Sequence, residues 1–223
     1  MKNADRLIYI KLEDDLFWSS SCQGFAFGEI INDFRIPDLQ TTFVRNGKMY
    51  SIFDSASATI QMPDPIFEPF IREIFEKAGG SPDDFKLNYG SIISKCYDTF
   101  PALHFMFDKI WLTVNVEDYV IDVSEAQDRS QCYLLITKGE LPFLVLGLPI
   151  FNGYYMVHDD VSGRLGFAAG IRSSKKDPQW GTVPTNVFSD KETQKDWEET
   201  KEQNEEEGVA EIWSDDGDFI NSD

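Results

Sequence analysis

Few side chains in this 223-residue sequence stand where their type and spacing could do chemistry. The run Asp54-Ser55-Ala56-Ser57 sets one carboxylate among two hydroxyls between apolar segments. His104 and His158 are the only histidines, and neither sits in a Ser/His/Asp or HExxH context, which argues against a nucleophilic triad and against zinc hydrolysis. His158-Asp159-Asp160 reads as a strand end entering a turn at Ser162-Gly163. Cys22, Cys96 and Cys132 are odd in number with no CxxC pair, so a zinc knuckle is not indicated. One disulfide with a spare thiol, or reduced thiols throughout, both remain open. No metal and no cofactor are expected.

The elements that would carry these residues are mostly strands. Phe 18, Tyr 8 and Trp 5, with short apolar runs broken by Gly, Pro, Asn and Asp, favour β-structure over helical bundles. Residues 7–12 and 24–31 alternate. Asn46-Gly47 between residues 42–44 and 49–53 is a type I′ hairpin signal. Asp64-Pro65 offers an N-cap with proline at the first helical position, and Ile66, Phe67, Phe70, Ile71, Ile74 and Phe75 make one apolar face of a helix ending at Gly79. Residues 103–107 and 110–116 flank Asp108-Lys109 as a second hairpin, and 133–137, 144–146, 154–158 and 165–168 are further strands. The chain is long enough for one core plus an appendage.

The formal charge of −19 is uneven: residues 190–223 hold 14 acidic and 3 basic residues, a net −11. Such a balance excludes a phosphate-tracking surface, so no nucleic-acid partner is expected, and basic proteins or peptides fit better. No apolar stretch approaches the ~20 residues of a membrane span, and residues 1–15 are too charged for a signal-peptide core. Beyond Gly170 the pattern fades, so the division falls into a lobe over residues 1–169 and an acidic tail over 170–223, disordered or partly helical. Within the tail, Trp197 and Trp213 stand in like acidic surroundings (DWEE, WSDD), as aromatic anchors that could dock into a basic groove.

Three blocks then occur in order. They are Ser51-Ile52-Phe53-Asp54-Ser55-Ala56-Ser57 with Met62-Pro63, then Leu144-Val145-Leu146-Gly147, then Tyr154-Tyr155 through Asp159 to Arg164-Leu165-Gly166-Phe167-Ala168. Together they resemble the C-terminal lobe of pepsin-like aspartic peptidases, well over residues 53–168 and loosely over 7–50. The resemblance implies an all-β fold, a single acid-protease β-barrel or sandwich lobe with one or two short helices. It places Asp54 as one catalytic carboxylate, Ser55 as the hydroxyl bracing two turns across the lobe interface, and Ser57 as a hydrogen bond to the carboxylate. It places Cys96 and Cys132 where that lobe carries a disulfide.

Such peptidases activate water between two carboxylates that share a proton, because like charges about 3 Å apart cannot both ionise. No second Asp-Thr/Ser-Gly occurs in the first fifty residues, and Ala56 replaces the family's glycine, where a methyl would strain the backbone or crowd the opposite carboxylate. The expected function is therefore a lobe that is non-catalytic by itself and acts as a partner-bound subunit or fragment, with a protein partner or N-terminal lobe covering the cleft face. The alternatives are an active endopeptidase half-site completed by another lobe or a second copy, taking peptide substrate, and a binding protein working through its tail. By resemblance the compartment is the secretory pathway or a vacuolar or lysosomal lumen, with the cytosol as the alternative.

Overall fold

The computed structural model describes residues 7–14, 16–29, 33–34, 44–45, 48–81, 83–88, 90–123, 131–170, 174 and 177–181. In chain order, β1 (Ile8–Lys11), β2 (Ser19–Phe27), β3 (Asp33–Phe34), β4 (Val44–Arg45), β5 (Lys48–Phe53) and β6 (Ile60–Pro63) lead into α1 (Asp64–Lys77). Then come β7 (Phe85–Asn88), β8 (Ser91–Ser94), β9 (Leu103–Phe107), β10 (Ile110–Val114), α2 (Val116–Tyr119), β11 (Val120–Asp122) and β12 (Cys132–Gly139). The last are β13 (Leu144–Leu146), α3 (Leu148–Phe151), β14 (Tyr154–Asp159), β15 (Arg164–Ala169) and β16 (Gln179–Trp180). The lobe is mostly β with short helices, as its composition led us to expect.

Two sheets form. One is three-stranded, in the order β1-β15-β14, so the first strand lies against the last part of the lobe. The other has thirteen strands along the path β16-β10-β9-β2-β5-β13-β6-β12-β8-β7, with β11, β3 and β4 as side branches. Among the described residues it does not close into a barrel, and the architecture agrees with the expected all-β lobe. Its β10 edge is finished by other means: β16 pairs with Ile110 and Trp111, Gly181 N–H donates to Lys109 O at 2.8 Å, and Thr113 N–H donates to the Tyr154 hydroxyl at 2.8 Å. Edge groups satisfied in this way cannot recruit a further strand. Gly181 also lies directly over Trp111, where a Cβ would come 2.3 Å from Nε1. The strand Gln179–Trp180 comes from the stretch assigned on sequence to the tail.

The helix reads as its sequence does. Ile66, Phe67, Phe70, Ile71, Ile74 and Phe75 are all buried. Phe70 packs on Phe25 and Phe27 of β2, with ring centroids at 5.1 and 4.8 Å. At its end Gly79, at φ 73°, and Gly80 donate to Glu76 O and Phe75 O at 3.0 and 2.9 Å, the paired bonds of a Schellman close. The start is one residue earlier than expected. Pro63 is the N-cap and no side chain caps the helix; Asp64 lies in the first turn and pairs instead with Lys138 Nζ at 2.6 Å.

Both expected hairpins form. Arg45 pairs with Lys48, leaving two residues between them; Asn46-Gly47 themselves lie outside the described residues. Phe107 pairs with Ile110, and Asp108 and Lys109 take φ of 48° and 65°, the double left-handed geometry of a type I′ turn without a glycine. Asp108 Oδ2 accepts Lys11 N–H at 2.6 Å, so its side chain is used. Among the described residues Lys109 contributes only its backbone, N–H to Gln23 Oε1 at 2.8 Å and C=O to Gly181. Lys109→Gly is therefore expected to raise stability by about 0.5 kcal/mol, since left-handed backbone costs a side-chain-bearing residue more than glycine. A higher urea midpoint at unchanged slope is the check.

His104 is buried in β9. Its Nε2 lies 2.8 Å from Gly28 O and must donate, which leaves Nδ1 to accept from the Thr113 hydroxyl at 2.9 Å. Burial holds its pKa below the usual imidazole range, and the Gly28 contact only partly opposes that. No helix among the described residues is long and apolar enough to cross a membrane.

Candidate active site

Asp54 follows directly on β5, and the reason it is held in place begins one residue earlier. Phe53 is buried, with ring centroids 5.2 Å from Phe107 of β9 and 5.6 Å from Phe167 of β15, so it is wedged between the two sheets. Burial of a phenylalanine at such a junction stabilises by roughly 2–3 kcal/mol and fixes where the next residue leaves the strand.

The turn that follows is opened by a strand from far along the chain. β5 and β6 are consecutive, yet they do not pair with each other; β13 lies between them, parallel to β5 (Leu144↔Ser51, Leu146↔Phe53) and antiparallel to β6 (Val145↔Gln61, Leu146↔Ile60). Two backbone bonds then tie the turn to that crossing and a third closes the turn on itself. Asp54 N–H donates to Leu146 O at 3.0 Å, Leu148 N–H donates to Ser57 O at 2.8 Å, and Ser57 N–H donates to Asp54 O at 3.2 Å. Gly147 sits at the crossing with φ −90°, so its glycine is needed for room rather than for conformation. A Cβ there would come 2.2 Å from Thr59 O and 2.4 Å from Ser57 O.

The side chains divide into those presented outward and those turned in. Asp54 is half-buried, and its Oδ1 accepts the Ala56 N–H at 2.9 Å. Ser55 and Ala56 are exposed, and the Ser55 hydroxyl makes no hydrogen bond to any described residue. Ser57 is buried, but its hydroxyl does not go to the carboxylate as expected. It donates to Thr59 O at 3.0 Å and accepts from Gln61 Nε2 at 3.2 Å, because β6 brings both groups under the turn. Thr59 Oγ1 lies 3.0 Å from Thr137 Oγ1 on β12, which carries the network to the next strand. Sequence reading missed Thr59, Gln61 and Thr137, since their contacts depend on strand order.

Ala56 does not strain the turn. Among the described residues other than glycine, only Asp108 and Lys109 have positive φ, so alanine occupies its place with ordinary backbone. The strain foreseen at this position is absent.

A second carboxylate, Asp14, supports the strands beneath. It accepts Leu16 and Phe17 N–H at 2.8 Å each, the Ser19 hydroxyl at 2.8 Å, and the Tyr50 hydroxyl from β5. Partial burial opposes its charge, but these four bonds together outweigh that and hold its pKa below the usual carboxylate range. Burial, reinforced by the facing carboxylate, pushes Tyr50 up to about 12. Every acceptor position of Asp14 is thus turned to structure.

Cys96 and Cys132 are disulfide-bonded, with Cα atoms 5.1 Å apart, tying the chain just past β8 to the start of β12. Cys22 is the free cysteine; it is fully buried, and burial pushes its thiol up to about 12, far from a reactive thiolate. His158 stacks edge-on against Trp18 at 4.6 Å within β14, and no described group makes it part of the turn. Trp197 and Trp213 lie outside the described residues.

What the turn can do chemically is present one carboxylate, fixed by backbone bonds, next to an uncommitted hydroxyl at the protein surface. A sequence model of the family described as eukaryotic aspartyl protease matches residues 4–170, which takes in the turn, the crossing strand and the strands of both sheets up to β15.

Proposed function

The chain belongs to the eukaryotic aspartyl protease family, and from that membership we propose that it serves as one lobe of a two-carboxylate site, non-catalytic by itself and covered by a protein partner. The observation that carries this reading is the half-buried Asp54 followed by the exposed Ser55-Ala56, clamped from behind by β13, with a Ser55 hydroxyl that no described residue engages. A rigid, outward-facing carboxylate is what a shared-proton pair requires from each side. The sequence holds one Asp-Ser-Ala-Ser run.

In this reading the partner supplies the facing carboxylate, and a peptide lies extended between the two, bound mainly through its backbone. Ser55 reaches across to the partner's turn. Residues 1–169 make the lobe with the strand Gln179–Trp180 as its outermost strand, and the remainder of 170–223 is an acidic extension carrying Trp197 and Trp213.

The test is peptide cleavage at acid pH combined with light scattering. The purified monomer is expected to give no cleavage. Addition of a lobe carrying a second Asp turn is expected to give cleavage that Asp54→Asn reduces to background. Cleavage by the chain alone that is lost in Asp54→Asn, together with a dimer in solution, would make a second copy the partner. The same cleavage from a strict monomer would overturn the proposal.

A further inference from the structure

We propose that Cys96, Cys132 and Asp122 form a redox-gated metal site, in which opening of the disulfide frees two thiolates that join the Asp122 carboxylate to bind a divalent ion of the zinc class. The two sulfurs and a carboxylate oxygen all lie within 4.8 Å of one another. Asp122 Oδ1 is 3.7 Å from Cys96 Sγ. The placement follows from strand register: Asp122 of β11 is paired directly with Cys132 of β12, whose other neighbour is Ser94 of β8, two residues before Cys96. Three candidate ligands therefore stand close together: the β11–β12 ladder holds Asp122 against Cys132 whether or not the sulfurs are bonded, and Cys96 follows two residues after the last laddered residue of β8.

The donor set suits the ion. Two thiolates and a carboxylate make a borderline-soft S2O set, of the kind zinc takes in tetrahedral geometry, and would leave a fourth position. Asp122 is exposed, Cys96 half-buried and Cys132 buried, so that fourth position opens to water. With both sulfurs as thiolates the cluster carries three negative charges that a divalent cation offsets.

The chemistry balances with a dithiol as reductant. Its two electrons and two protons cleave the S–S bond to two thiols, and the dithiol closes to its own cyclic disulfide. Metal binding then releases both thiol protons. In the oxidised state a covalent bond joins the segment after β8 to β12, and in the reduced, metal-bound state coordination would join both to β11.

Cobalt(II) is the probe, used with the full chain reduced by dithiothreitol and desalted without oxygen. The reduced chain is expected to bind one equivalent with sulfur-to-cobalt charge-transfer absorption and tetrahedral visible bands, displaced by zinc. The oxidised chain is expected to show neither, since binding to acidic surface groups gives no sulfur absorption. Cys132→Ser should lose the charge-transfer band. Asp122→Asn should weaken binding by roughly tenfold or more, as removing a ligand costs at least what removing its supporting partner does. Zinc should also raise the unfolding midpoint of the reduced chain and leave that of the oxidised chain unchanged. A reduced chain that keeps its strand circular dichroism but shows no sulfur absorption would overturn the site, as would one that unfolds and is not restored by zinc. Unchanged affinity in Asp122→Asn would overturn the three-ligand assignment.

Discussion

Gly147→Ala is expected to cost about 4 kcal/mol or more, enough to leave the lobe close to unfolded, because the added methyl meets backbone and not a yielding side chain. It would lie 2.2 Å from Thr59 O and 2.4 Å from Ser57 O, and Ser57 O is already committed to Leu148 N–H. Relief would require β13 to withdraw from between β5 and β6, which would break the Asp54–Leu146 bond as well. Domains of this size are stable by only about 5–15 kcal/mol, so a loss of that order is a large share of what holds them. Denaturant titration followed by tryptophan fluorescence reads the change. Gly139→Ala is the comparison: its Cβ would be 3.3 Å from Met62 O, a contact that a few tenths of an ångström relieve, so it should lose far less. Equal midpoints for the two variants would show that the crossing is softer than its packing implies.

Loss of the disulfide should have the next largest effect. Cys96 and Cys132 are 36 residues apart in sequence, and closing a loop of that length restricts the unfolded chain by about 3–4 kcal/mol in the chain-entropy model. The double substitution Cys96→Ala with Cys132→Ala is expected to lower the unfolding free energy by that amount while leaving strand circular dichroism in place. Stability unchanged within about 0.5 kcal/mol would mean that the β8–β12 and β11–β12 ladders alone confine this part of the unfolded chain. Because Cys132 opens β12, which also carries Thr137 under the Asp54 turn, the same variants test whether the clamp is felt at the turn.

Local signals were legible in the sequence where physics is local. The six apolar residues of α1 follow a 3.6-residue period and all are buried, and Asp108-Lys109 marks its hairpin although neither residue is glycine. Where contacts are distant the sequence is silent. Nothing between Leu144 and Leu146 states that these residues separate β5 from β6; the resemblance points Ser57 at the carboxylate, whereas the approach of Gln61 that redirects it depends on that separation. The hairpin of β7 and β8 escaped notice because β7 is an exposed edge strand without alternation. α2 and α3, at four residues each, are shorter than any periodic window. α2 did leave a trace, since Asn115 and Asp118 form a capping box that stops β10 two residues short of the expected 116. β16 is two residues in polar text, and only the edge of β10 makes it a strand.

The three-stranded sheet also sets a timetable. β1 waits for β15: Ile8 pairs with Phe167 and Lys11 with Arg164. At ordinary rates of synthesis the first strand leaves the ribosome on the order of ten to thirty seconds before its partner is made. β5 likewise precedes β13, without which the Asp54 turn has no floor. During that interval the apolar faces of β2, β5 and β9 exist without the strands that finish their sheet, and long-range pairing of this kind is slow even once the partners are present. The nascent chain is therefore expected to leave those faces uncovered until about residue 169 has emerged, and a chain ending before β13 is expected to lack the strand that joins β5 to β6, however much of the sheet it contains.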